Sequence, residues 1–168
     1  MFASMMEIIL AAMTVGAASV YTRNKQTMLS VLFILLFASF AYLGFLLSSY
    51  HIIYLEELHW TVDVVRFLLV IIVGAAAVFS FLPFQGYFHS QSKQLWLAVS
   101  VFYLFVGWHA GHWFGSWYMF TGLIILFIIF YVAGNICQGI VQIKLKEKQI
   151  ASFIPFIILL LFSILLLL

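Results

Sequence analysis

The chain has 168 residues and a formal net charge of +2, with 67% hydrophobic and only 7% Asp, Glu, Lys and Arg residues. Soluble domains carry roughly 45–50% apolar and about 25% charged residues, so a water-soluble packing is excluded: too little polar surface exists to cover this much apolar side chain. A basic nucleic-acid patch is absent, so no nucleic-acid partner is expected, and the lone Cys137 excludes an intrachain disulfide and a thiolate metal cluster.

A helix needs about 20 mainly apolar residues to cross a bilayer, where every backbone polar group must be bonded within its own segment. Six stretches qualify, residues 2–21, 28–49, 61–84, 94–108, 116–141 and 151–168; the fourth is the shortest, and its helix can end past His112. The turns between them are short and polar. The expected fold is therefore all-α, one transmembrane domain over residues 1–168, built as a bundle of six transmembrane helices with the N-terminus and C-terminus outside.

The first stretch has no basic residue before its apolar run and places Arg23 and Lys25 after it, the reverse of a signal peptide, so it reads as a retained helix. Within it, Glu7 must either tilt toward the headgroups or meet a cation in the bundle, and Arg66 is the candidate. The run Gly16-Ala17-Ala18 reads as a close-packing surface, as does Gly74-Ala75-Ala76-Ala77 in the third stretch.

The segment SYHIIYLEELHWTVDVVRF joins the second stretch to the third. At 100° per residue, Glu56, His59, Asp63 and Arg66 share an arc of about 80° if the third helix starts before Glu56, which makes one polar stripe descending into the membrane. Asp63 and Arg66 stand at i and i+3, the spacing of an ion pair, so Asp63, Arg66 and Glu7 are the expected buried ion pair. Pro83 closes the third stretch.

Between the fourth and fifth stretches the sequence reads GWHAGHWFGSWYMF, and His109, His112 and Ser116 fall within about 60° of one another by the same geometry. Histidines and carboxylates at these spacings present ligand atoms together. His51, Glu56, His59, Asp63, His109 and His112 are thus the candidate ligands of a transition metal, and the imidazoles are candidate axial ligands of haem b.

In the fifth stretch Asn135, Gln138 and Gln142 follow one helical face and are expected to bond between helices, while Cys137 is expected to be a small core residue. Pro155 should kink the sixth helix or delay its start. The nineteen Phe residues and the Leu and Ile runs are expected to face lipid.

Basic residues fall in alternate loops: Arg23 and Lys25, then Lys93, then Lys144, Lys146 and Lys148. The positive-inside rule puts these in the cytoplasm and the His- and Glu-rich loops on the extracytoplasmic side of a cell membrane, with about +5 inside and about −3 outside.

Three functions fit this reading. The favoured one is a small module without catalysis of its own, either an accessory subunit of a larger membrane complex or a sensing domain, partnered by lipid and by other membrane subunits or itself. The second is a metal- or haem-binding redox protein using the outer histidines and acids. The third is a small transporter or channel lined by Glu7, Asp63 and Arg66.

Overall fold

A computed structural model of the chain describes residues 2–22, 26–49, 59–89, 91–113, 116–144 and 150–167. The described residues form six helices in sequence: α1 (Phe2–Ser19), α2 (Gln26–Ser49), α3 (His59–Ser80), α4 (Lys93–Trp113), α5 (Trp117–Lys144) and α6 (Ile150–Leu167). Four of them, α2 to α5, are long and apolar enough to cross a membrane. α1 and α6 are apolar but shorter over their described cores, Met5–Ser19 and Ala151–Leu165.

The helix ends follow local chemistry. α3 stops at Ser80, before the predicted end at residue 84, because Pro83 has no N–H to continue the ladder and the chain turns instead. Leu82 and Gly86 exchange backbone hydrogen bonds across that turn. Gly86 has φ 74°, a left-handed conformation, and a Cβ there would overlap the Tyr21 carbonyl, so glycine is required twice over. The imidazole of His89 donates from Nε2 to Ser80 O (2.9 Å), capping α3. At the other end of the bundle, α4 runs to Trp113, so His109 and His112 lie on a helix and not in a loop. Ser116 accepts from the amides of Met119 and Phe120 at the start of α5, and so does not continue the α4 face, as the periodicity suggested.

Two helix pairs dominate the packing, α2 on α4 and α1 on α5. Glycines make both seams. A Cβ on Gly16 would overlap the Tyr131 carbonyl, and one on Gly134 the Met13 carbonyl, so α1 and α5 touch backbone to backbone. Gly44 and Gly107 do the same for α2 and α4 against Leu104 and Ala41. Such close approach multiplies dispersion contacts, which between apolar helices in lipid must replace a hydrophobic driving force. The second small-residue run behaves differently: Ala76 and Ala77 are buried, whereas Gly74 meets nothing within 4 Å.

The core between the pairs is aromatic, which corrects the expectation that the phenylalanines face lipid. Phe33 stacks on Trp96 (4.8 Å between ring centroids) and Phe37 on Phe127 (3.9 Å), with Tyr103 edge-on to both Phe37 and Phe127. Large flat rings fill the space between these helices. Cys137 is likewise corrected: its side chain is exposed on α5.

α1 is the most enclosed helix, touching α2, α4, α5 and α6 with buried Ile8, Ala11, Ala12, Val15 and Ala18. Small residues permit that central position.

A buried charge cluster between α1, α3 and α4

Four charged or ionisable side chains converge near the start of α1, the start of α3 and the end of α4. Arg66 Nη1 donates to Glu7 Oε1 (2.6 Å) and Arg66 Nη2 to Asp63 Oδ1 (2.6 Å). On the far side of the same carboxylate, His109 Nδ1 donates to Glu7 Oε2 (2.9 Å). Glu7 and Arg66 are 4% and 3% exposed, His109 is part-buried, and the Asp63 side chain is 37% exposed. The cluster therefore runs from an open carboxylate through a buried guanidinium to a buried carboxylate.

Each position follows from helix geometry. Asp63 and Arg66, one turn apart, share a face of α3, so the guanidinium has a carboxylate on its own helix. Arg66 lies seven residues into α3, about 10 Å along its axis at 1.5 Å per residue, too deep to leave its charge among apolar side chains without partners. Its second partner, Glu7, can arrive because Ala11 and Ala12 let α1 sit at the centre of the bundle. The His109–Glu7 contact requires α4 to remain helical past residue 108.

Below the cluster the packing is apolar. Val70, Phe102 and Leu159 are buried and, with Glu7, Arg66, Phe162 and Ser163, line a cavity with room for about one water molecule. It lies between α1, α3, α4 and α6.

The other candidate ligands are distributed as follows. His112 is on the last turn of α4 with an exposed side chain. His59 is the first residue of α3, and its side chain lies outside the described residues, as do His51 and Glu56 entirely. Among the described residues no group of three or more His, Cys, Asp or Glu is arranged to hold one ion. The described candidates His109 and Asp63 flank Arg66 and Glu7: the guanidinium already holds one Glu7 oxygen, and its charge opposes a second cation beside that carboxylate.

The opposite end of the bundle carries a neutral network. Gln138 Nε2 donates to the Tyr21 hydroxyl (2.5 Å) and to Ala151 O (2.8 Å). Ala151 is the residue whose carbonyl Pro155, lacking an N–H, cannot engage, so Gln138 supplies the bond that the proline removes and α6 stays helical through it. The Tyr87 hydroxyl donates to Ser152 O (2.8 Å), and Asn135 Nδ2 donates to Ser19 Oγ (3.1 Å), which donates to Gly16 O (2.6 Å). Burial pushes the phenols of Tyr87 and Tyr21 above their ordinary range, so both stay neutral, Tyr87 as a donor and Tyr21 as an acceptor.

Sequence reasoning missed Ser163, which lies in a Leu- and Ile-rich run taken as filler, and the pairing of His109 with Glu7. A lone hydroxyl in such a run was the available signal for the first; nothing in the spacing of residues 7 and 109 could signal the second. No protein-family model matches this chain, no curated protein is significantly similar to it in sequence, and no solved structure is significantly similar to it in fold.

Proposed function

We propose that the chain is a six-span integral protein of the cell membrane, with both termini and the Glu7–Arg66–His109 end extracytoplasmic, and that it serves as a non-catalytic accessory subunit of a larger membrane assembly. One observation carries the reading: the ionisable groups buried between α1, α3 and α4 are spent on one another, Arg66 on Glu7 and Asp63, and His109 on Glu7. Groups held in this way join α1, α3 and α4 and stand above an apolar layer, an arrangement suited to a scaffold. The exposed faces carry large apolar side chains such as Phe79, Leu97, Ile125 and Ile143, which suit contact with lipid and with other transmembrane helices alike.

The test is native solubilisation of the tagged chain from its own membranes. The expected result is a defined complex heavier than the chain with its detergent belt, and a purified chain with neither a Soret band nor stoichiometric metal. Haem or metal at one per chain, lost on His109→Ala, would establish the redox alternative. Uptake by proteoliposomes that disappears on Glu7→Gln would establish the transporter, a reading favoured by the depth of Glu7 and Arg66.

A further inference from the structure

Where a polar turn belongs between α3 and α4, residues 82–86 read Leu-Pro-Phe-Gln-Gly. Phe84 is 90% exposed, and Phe79, in the last turn of α3, is 82% exposed. Their exposure is imposed by the fold. Tyr87 and Phe88, which follow, turn inward and are buried, Phe88 N–H donates to Thr22 Oγ1 (3.4 Å), and Gly86 is pressed against the Tyr21 carbonyl. The turn is thus fixed to the bundle with its tip outward.

Helix length sets the level at which that tip stands. α3 has 22 residues, about 33 Å at 1.5 Å per residue, which already spans a hydrocarbon layer of ~30 Å, so Ser80 reaches one edge of it and the turn begins there. The apolar surface is continuous with the helix. Leu68, Ile72, Ala75 and Phe79 are exposed and fall within about 60° of one another on α3, a stripe that faces lipid in a spanning helix, and exposed Leu82 and Phe84 continue it beyond the helix end. The backbone suits an apolar surrounding as well. The amides of Leu82, Gln85 and Gly86 are bonded within the turn and Pro83 has none, which is what lipid demands of a chain and water does not.

We propose that Leu82, Pro83 and Phe84, together with Phe79, form a fixed wedge seated in the headgroup–acyl boundary of the adjoining leaflet, its partner being bilayer lipid. Phe and Leu suit that layer, and Lys93, exposed at the start of α4 on the same end of the bundle, suits the phosphates beside it. This placement rests on α3 and α4 spanning the membrane, as read above, and adds that their connection lies in the leaflet and not in water.

Single cysteines on a Cys137→Ser background test it, in the full-length chain held one per disc in phosphatidylcholine–phosphatidylglycerol nanodiscs, which leave both membrane faces open to a charged thiol reagent. Gln91→Cys, exposed in the same connection, is the reference for water, and Ile129→Cys, exposed midway along α5, is the reference for lipid. Phe84→Cys and Phe79→Cys are expected to react at least about tenfold more slowly than Gln91→Cys, because a charged reagent is excluded from the acyl boundary. The protein itself does not supply such protection at residues this exposed, and their substitution removes no core packing. Should Phe84→Cys react as fast as Gln91→Cys while Ile129→Cys is protected, the turn stands in water and the wedge is overturned with the spanning reading intact. Fast reaction at Ile129→Cys as well would overturn both. Protection of position 84 that appears only in discs holding two chains assigns the tip to a second copy and overturns the lipid wedge.

Discussion

The two ends of this bundle solve the same problem with different chemistry. At one end, α1, α3 and α4 are joined by charges, with a guanidinium between two carboxylates and an imidazole on the inner one. At the other, α1, α5, α6 and the α3–α4 turn are joined by neutral amides, hydroxyls and phenols. The neutral network repairs identifiable backbone defects: Gln138 serves the carbonyl that Pro155 abandons, and His89 serves the end of α3. The charged cluster repairs nothing in the backbone. Its members must find one another because each, left alone at that depth, would be expensive. Removing one member of the neutral network should cost a hydrogen bond; removing the central charge should leave the others buried and uncompensated.

The sharpest test of that contrast is Arg66→Met, which leaves Glu7 buried without a cation. A loss of about 3–5 kcal/mol is expected, read as a collapse in the yield of folded protein and in its melting temperature in detergent. Replacing the two carboxylates and the guanidinium together, Glu7→Leu with Asp63→Asn and Arg66→Met, should recover most of it, since no charge is then stranded. If the triple variant is as unstable as the single one, the cluster does not act through its charges and the contrast fails.

At the neutral end, Gln138→Leu should cost about 1–3 kcal/mol, because the Ala151 carbonyl then stays buried without a partner. Pro155→Ala restores an N–H for that carbonyl, so the same Gln138 change made on the Pro155→Ala background should cost less. A double-mutant cycle of chemical unfolding measures the coupling, and strict additivity would sever the link between proline and glutamine.

Tyr87→Phe should be milder, about 0.5–1.5 kcal/mol for its bond to Ser152. It also predicts a pH signature. Burial raises the Tyr87 phenol above the ordinary phenol value of 10.0, so its contribution to stability is fully present below that pH and is lost as pH rises beyond it. Alkaline unfolding should therefore be less steep in Tyr87→Phe than in the wild type. The smallest effect is expected at Asp63→Asn, about 0.2–1 kcal/mol and weaker in high salt, because that carboxylate is 37% exposed and solvent screens its pair with Arg66.

Both ends were partly legible in the sequence, for different reasons. Asp63 and Arg66 are one helical turn apart, and Asn135 and Gln138 likewise, so local periodicity was enough to place each pair on one face. Glu7 stood out as an acid inside an apolar run, which made Arg66 a candidate partner by chemistry alone. The apolar run of the fourth stretch ends near residue 108 because GWHAGHW is polar and interfacial, while α4 continues through it to Trp113, past His112 as the sequence allowed. The expected grouping of His109 with His51 and His59 falls partly on residues 51–58, outside those described. The buried phenylalanines were misread because hydrophobicity is the same signal whether a ring faces lipid or protein.

What the sequence determined by itself was the class of the molecule and its helices, since those rest on composition, run length and short-range spacing: too few charges for water, six apolar runs, and four described helices of spanning length. Tertiary structure alone decided which helices pair. In an apolar environment every greasy face is an acceptable neighbour for every other, so the choice passes to backbone fit at Gly16, Gly134, Gly44 and Gly107 and to rare polar contacts such as Glu7 with Arg66 and His109. Those partners are separated by 59 and 102 residues along the chain, and no periodicity within a helix carries information over that distance.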